Sequence, residues 1–312
     1  MPLTDSSRVL IMTGAHLKEA SLRELPQLTA DNLLAEPRAK NTAPCIAWAA
    51  ALVERDSPDG VVIVVPSDQH VADEPAFHAA VERAIESARA GAITTIGVVP
   101  SRPETGFGYI ERGDPRAPGV YAVRRFVEKP SLEKAEEYLA SGNFDWNAGM
   151  FVFRARDMLL ALSRHAPELA EGARKVAAER GDAARYEKAV EAFFDSAPSI
   201  SIDYAVMEKE AGLAVVPAEF GWSDLGSWES AWELAEKDER GNVGAPGALF
   251  VDASNNLVQS SGSSVKKTIA VLGVSDLCVV DTGDALLVMP RSRSQDVRLV
   301  VEALKERDET LL

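Results

Sequence analysis

The sequence predicts an α/β protein: a Rossmann-like domain with a mostly parallel sheet, followed by a small β-helix-like piece near the C-terminus. Two observations carry that reading. Over the first two-thirds of the chain, short apolar runs alternate with segments of helical spacing, the order in which βαβ units are written. From Gly247 to Met289 the helices stop, and brief apolar runs are separated by small and polar residues. Such runs are too short to pair over any distance and suit a coiled sheet better than a sandwich. The length of 312 residues allows one large domain and a smaller companion, with the boundary expected near residue 240 (1–240 and 241–312).

Taken in order, Val9-Leu10-Ile11-Met12 is a short strand entering a turn at Thr13-Gly14. Alanine-rich Ala43 to Arg55 reads as a helix. Val61-Val62-Ile63-Val64-Val65 is apolar at every position, which predicts a central parallel strand covered on both faces. Pro75 to Ala90 has a proline at its start, helical spacing and Gly91 after its end, the marks of a helix. Ile93 to Val99, Tyr121 to Val127 and Gly149 to Phe153 predict strands, while Leu132 to Ala140 and most of Arg156 to Phe194 predict helices. A helix is expected around Ser227 to Lys237. The short β-runs are Leu249 to Val251, Asn256 to Val258, Thr268 to Leu272, Leu277 to Val280 and Ala285 to Met289. Ser294 is the expected N-cap of a terminal amphipathic helix reaching about Arg307.

Charge narrows the partners. With 33 basic against 48 acidic residues the chain carries −15, which argues against nucleic acid and against anionic membrane surfaces. An acidic protein that binds phosphates must do so locally, through a metal, a few placed cations or backbone N–H groups. Cys45 and Cys278 lie far apart and near no histidine cluster, so they are expected to be buried, reduced thiols in a cytoplasmic protein. His16, His70, His78 and His165 show no ligand spacing for zinc.

The most informative stretch is Arg102-Pro103-Glu104-Thr105-Gly106-Phe107-Gly108-Tyr109-Ile110-Glu111, followed by Phe126-Val127-Glu128-Lys129-Pro130. Glycines flanking an aromatic let a backbone pass close to a ligand. An acid and a base side by side at a strand end can grip sugar hydroxyls and neutralise a phosphate. A glycine turn plus a surface ion pair would give the same pattern. Asp68, in Pro66-Ser67-Asp68, stands beyond the strongest apolar strand, where open α/β sheets bind ligands. Asp224 lies in Gly221-Trp222-Ser223-Asp224-Leu225-Gly226-Ser227-Trp228. Two distant aspartates meeting at one Mg2+, their carboxylates on the order of 4–7 Å apart, would serve phosphoryl transfer; equally, either could cap a helix. Asn147 could hydrogen-bond a hydroxyl or simply shape a turn, and Asp203 could hold a polar group or begin a helix. Glu36, Asn41 and Thr42 offer carboxylate and amide groups at a helix start, suited to a base edge or to capping.

Together these motifs resemble the sugar-1-phosphate nucleotidyltransferases, and within them the mannose-1-phosphate guanylyltransferases. The resemblance runs through Glu36-Pro37, Lys40 to Pro44, Pro66-Ser67-Asp68, the Arg102 to Glu111 run, Phe126 to Pro130, Asn147 to Phe151, Ser201 to Lys209 and Gly221 to Trp228. The tail Val279 to Val288 is similar to that family's left-handed β-helix. The resemblance implies transfer of GMP from GTP to mannose 1-phosphate, giving GDP-mannose and pyrophosphate, with Mg2+ held by Asp68 and Asp224. It implies that Lys129 meets the sugar phosphate, that Gly108, Glu128, Asn147 and Asp203 bind the sugar, and that Glu36, Asn41 and Thr42 lie near the guanine. It leaves room for a homodimer. Another hexose 1-phosphate, or a non-catalytic binding or regulatory role, remains the alternative.

One departure matters. The family's glycine-rich nucleotide loop follows its first strand, and Met1 to Gly14 is similar to the second strand instead. A central strand lost from a sheet deprives its neighbours of ladder bonds and apolar cover. The chain as written is therefore expected to bind mannose 1-phosphate weakly and to make little or no GDP-mannose, and an N-terminally extended form to be active.

Overall fold

The computed structural model describes residues 3–261 and 267–305. Its contacts divide the chain into two compact units. The first comprises Met1–Ser67 and Val71–Trp222, the second Asp68–His70 and Ser223–Leu312. Among the described residues no helix is long and apolar enough to cross a membrane.

The first unit begins with strand β1 (Ile11–Gly14), helix α1 (Lys18–Glu24) and strand β2 (Leu33–Glu36), with β1 and β2 forming their own parallel pair. Helix α2 (Thr42–Asp56) follows, with Asn41 as its N-cap, and buries Ala43, Ile46, Ala47, Trp48 and Ala50. Its alanines let neighbouring helices approach closely. Strands β3 (Val61–Val64) and β4 (His70–Val71) lead to helix α3 (Glu74–Arg89), which Asp73 caps by accepting from the Ala76 N–H. Then come β5 (Thr94–Val98), the hairpin β6 (Tyr109–Ala117) and β7 (Val120–Val127), helix α4 (Leu132–Ser141) and the long strand β8 (Phe144–Arg154). Helices α5 (Ala155–His165), α6 (Pro167–Ala178) and α7 (Ala183–Ser196) precede β9 (Ala214–Ala218) and β10 (Trp222–Ser223). One core lies between the sheet and the α2/α5/α6/α7 helices, and a second on the α3 side.

The main sheet has the order β3-β8-β5-β9-β7-β6, with an additional β8–β6 pairing. The α/β class holds, but the mostly parallel sheet expected from the sequence does not. Within it only β5 and β9 pair in parallel, while β8 runs antiparallel to β3, β5 and β6. The reason is β8 itself, which inserts between β3 and β5 in the opposite sense. A second correction concerns Val61–Val65. The run is a strand, yet β3 lies at the sheet edge, its residues only half-buried and Val65 47% exposed. Uniform apolarity cannot distinguish a central strand from an edge strand that packs on helices.

Asp145 on β8 is buried at 0% exposure, with Arg112 Nε 3.1 Å from its Oδ2 but no aligned hydrogen bond to either oxygen. A Cβ on Gly97 would come within 2.6 Å of the Asp145 Cβ, so glycine makes the room. Burial pushes this carboxyl from 3.8 up to about 6, against the opposing pull of Arg112. A folded state that holds the proton more tightly than the unfolded one loses stability as pH rises between those values. For this rise of roughly two pKa units the loss is about 3 kcal/mol, complete above about pH 6. Urea melts at pH 4 and pH 7 on the wild-type protein and Asp145→Asn should differ by that slope; parallel profiles would contradict it.

The second unit contains helix α8 (Trp228–Leu234) and the strands β11 (Val243–Gly244), β12 (Leu249–Val251), β13 (Leu257–Ser260), β14 (Ala270–Leu272), β15 (Leu277–Asp281) and β16 (Leu286–Pro290). β11, β13 and β15 stack in parallel, β12 pairs with β14 likewise, and β16 returns antiparallel on β15. This is the expected β-helix-like coil. Its buried rungs are tied by side-chain amides. Asn256 donates from its Nδ2 to Asn242 Oδ1 at 3.0 Å, and its own Oδ1 accepts from the Leu277 N–H at 3.0 Å. Buried amides are tolerated because both ends are satisfied. Arg291 lies 3.5 Å over the Trp232 ring and pairs with Glu229 at 2.6 Å and Asp276 at 3.1 Å.

Helix α9 (Val297–Lys305) closes the described residues, and the expected end near Arg307 lies outside them. Ser294 is not its N-cap. That serine sits in a preceding 3-10 turn, where its hydroxyl donates to Arg291 O and accepts from the Glu229 N–H. The cysteines are free; Cys278 is buried, but Cys45 is only half-buried, beside Glu36.

Candidate functional site

The residues expected on the sugar side gather beside the stretch of β8 that pairs with neither β6 nor β3. Phe144 to Asp145 and Trp146 pair with β6, and Phe151 to Arg154 pair with β3. Between them Asn147 to Met150 have neither neighbour. The Asn147 N–H donates to Gly108 O at 2.8 Å, bringing the loop before β6 against this gap. Asn147 Oδ1 accepts from the Gly149 N–H at 3.1 Å, a bend that Gly149 makes at φ 68. Its Nδ2 donates to Asp203 Oδ1 at 2.8 Å. Asn147 is therefore a strand residue whose side chain both shapes the bend at Gly149 and orients an acid.

β7 ends at Val127, and Lys129 turns away with φ 45, a left-handed backbone uncommon for lysine. The break allows two adjacent side chains to work together instead of facing opposite sides of a strand. Lys129 Nζ donates to Glu128 Oε1 at 2.5 Å. A Cβ on Gly108 would lie 2.5 Å from Glu128 Oε2 and 3.4 Å from Asn147 Cβ, so Gly108, Glu128 and Asn147 line one place. The hydrogen bond from Lys129 to Glu128 leads the causes that raise the Lys129 pKa, and the ammonium stays charged. Burial raises the Asp203 carboxyl, and Glu128 adds to that. Glu208 is raised too, by burial and then by Glu128 and Asp203. Glu208 is the member of this cluster that sequence reasoning passed over. It belongs to the same Ser201 to Lys209 run that flagged Asp203.

Glu36, Asn41 and Thr42 sit at the β2–α2 junction. Asn41 has φ 68 and accepts from the Thr42 N–H at 2.9 Å; Thr42 Oγ1 accepts from the Ile202 N–H at 2.9 Å. The junction is thus fastened to the Asp203 segment, and both side chains have structural duties. Glu36 is half-buried, which raises its carboxyl, and the Cys45 thiol pulls the other way. Burial pushes that thiol up strongly and leaves it unreactive.

Asp68 and Asp224 fall in the second unit. β4 pairs with β10, while the Ala72 N–H bonds to Phe220 O at 3.1 Å and Gly221 O at 3.2 Å. The two segments therefore run oppositely, and following the ribbon beyond β4's start and β10's end reaches Asp68 and Asp224 at the same end. Gly221, at φ 61, permits this approach, since a Cβ there would meet Ala72 Cβ at 2.6 Å. Neither aspartate is a helix cap: Asp73 caps α3 and Ser227 caps α8. Asp224 Oδ1 accepts from the Gly226 N–H at 3.1 Å, in a turn where Leu225 has φ 52. Among the described residues no three His, Cys, Asp or Glu side chains are gathered for a metal. Mg2+ needs only one or two carboxylates when phosphates and waters complete its octahedron. Two carboxylates are the number of protein ligands such an ion takes.

Residues 5–241 match the family model described as Nucleotidyl transferase. The chain belongs to the nucleotidyl transferase family. Residues 248–304 match a second model, the MannoseP isomerase/GMP-like beta-helix domain. A mannose-1-phosphate guanylyltransferase of Klebsiella pneumoniae is 42% identical over 91% of this chain and 60% of its own length. One from Escherichia coli K12 is 42% identical over 96% and 63%. The chain thus spans about 60% of the length of these curated relatives. Among solved structures, a mannose-1-phosphate geranyltransferase from Thermus thermophilus superposes with a TM-score of 0.83 at 33% identity, covering 97% of this chain and 86% of that one. A mannose-6-phosphate isomerase from Helicobacter pylori gives 0.58 at 33% identity, covering 69% and 83%. The first match covers the α/β unit and the second the β-helix-like coil.

Proposed function

We propose that this family member is a mannose-1-phosphate guanylyltransferase, transferring GMP from GTP to mannose 1-phosphate to give GDP-mannose and pyrophosphate. The observation that carries the reading is the cluster of Gly108, Glu128, Asn147 and Asp203 beside the ammonium of Lys129. Carboxylates and an amide accept and donate to sugar hydroxyls, and one fixed cation suits one phosphate. The relatives at 42% identity that bear this enzyme's name support the choice of sugar and nucleotide.

In the reaction an oxygen of the sugar phosphate attacks the α-phosphorus of GTP in line. The bond from that phosphorus to the bridging oxygen breaks, pyrophosphate leaves with the electron pair, and no covalent enzyme intermediate forms. Lys129 neutralises the attacking phosphate, and Glu128 and Asn147 fix the sugar so that the nucleophile points at phosphorus. Glu36, Asn41 and Thr42 are assigned to the guanine side. Asp68 and Asp224 would hold Mg2+, which supplies charge neutralisation at the phosphate oxygens. The reading assigns the protein to the cytoplasm, where GTP is available, and to a homodimer.

A second reading, a sugar-phosphate-binding or regulatory homologue, is favoured by the bare outer edge of β3 among the described residues. The test is pyrophosphate and GDP-mannose formation from GTP and mannose 1-phosphate with Mg2+. It is run on the chain as written and on one extended through the codons upstream of Met1. GDP-mannose from the extended form supports the enzyme. Binding of mannose 1-phosphate with no product from either form would decide for the second reading, and turnover of glucose 1-phosphate in preference to mannose 1-phosphate would overturn the sugar assignment.

A further inference from the structure

We propose that a cleft at the other end of β6 is a second small-molecule site, which takes a phosphate monoester carrying an apolar body. The cleft lies in the first unit, between helix α3, the turn into β5 and the tip of the β6–β7 hairpin, and encloses about 1070 Å3. That volume suits a ligand of nucleotide size. It is remote from the sugar-side cluster. Gly108 precedes the first residue of β6, whereas Arg116 and Ala117 at its far end line the cleft. At about 3.3 Å per residue the strand keeps the two places on the order of 25 Å apart.

The lining has two chemistries. Ile85, Ala92 and Val120 give an apolar wall, while Arg83 and Arg116 bring cations. Arg116 Nη1 donates to Gly212 O at 2.8 Å, which fixes the guanidinium at the rim. Arg83 is the residue that calls for a ligand. Its Nε is buried without an acceptor, and its guanidinium enters no ion pair among the described residues. Buried donors in native proteins almost always find a partner. Gly119, at φ 71 in the hairpin turn, leaves room for this arginine, since a Cβ there would stand 3.1 Å from Arg83 Cδ and 3.3 Å from its Nε.

Acids also border the cleft. Glu86 is already held by Arg89 at 2.7 Å, so that pair is neutral. Glu82 remains, set against Arg83 and Arg116, and the balance favours an anion even though the whole chain carries −15. Guanidinium groups present paired N–H donors that match the oxygens of a phosphate. The apolar wall then favours an ester with a hydrophobic or aromatic body over the free ion.

The probes are phenyl phosphate and inorganic phosphate, titrated calorimetrically into the 312-residue protein. Phenyl phosphate should bind one to one and at least about tenfold more tightly than inorganic phosphate. Arg83→Gln and, independently, Arg116→Gln should each weaken it by about tenfold or more, with thermal melts matching the wild type. Lys129→Met, on the sugar side, should leave this binding unchanged. Equal affinity in both arginine variants, loss of binding in Lys129→Met instead, or no binding at all would overturn the proposal.

Discussion

On the proposed function, Lys129→Met is expected to weaken mannose 1-phosphate binding about ten- to a hundredfold and to lower turnover by about 10²–10³. The reason is local charge. Burial raises the Asp203 and Glu208 carboxyls and the charge of Glu128 adds to both, and Lys129 is the cation bonded to Glu128. Without the ammonium, a doubly charged phosphate would approach Glu128 with its bonded cation removed. Calorimetry with mannose 1-phosphate reads the binding change directly, and turnover at saturating sugar phosphate reads the chemical step. Arginine at this position should restore binding in part but not geometry, since its planar fork cannot replace a compact ammonium beside Glu128. Unchanged affinity in Lys129→Met would remove the residue from the site.

Asp224→Asn is expected to reduce Mg2+-dependent turnover by about 10²–10³, and Asp68→Asn to do the same. The double variant should be little worse than either single one, because two ligands of one ion act as a unit. Neither substitution should disturb the fold, as neither aspartate caps a helix and α3 and α8 have their own caps in Asp73 and Ser227. A readout independent of catalysis is Mn2+ binding followed by electron paramagnetic resonance in the presence of GTP, which both variants should lose. Multiplicative losses in the double variant would mean that the two carboxylates serve different purposes.

Much of this could be read in the linear sequence because it is encoded locally. Helices α2, α3 and α4 follow from spacing, a leading proline and terminal glycines, within a residue or two. The coil of β12 to β16 follows from short apolar runs between small residues. The residues expected on the sugar side stood out because they sit in runs of glycine, proline and paired charges, although a glycine turn and a surface ion pair share that pattern. The break at Lys129 was foreseeable from Pro130, which disfavours a continuing strand.

Other features depend on partners distant in the chain, and no local pattern holds them. Whether β3 is central or peripheral depends on which strand lies beside it, and the antiparallel insertion of β8 is a choice of pairing over some ninety residues. Ser294 has the residue type of a cap, but Arg291 and Glu229 claim its hydroxyl. Asp145 and Arg83 look like any acid and base in the sequence. Burial alone raises the carboxyl of one and strips the Nε of the other of its acceptor. The sequence by itself determined the local elements, the family and the candidate residues for the chemistry. Tertiary structure decided strand order, desolvation and which polar groups remain unpaired, because those depend on atoms brought together only when the chain folds.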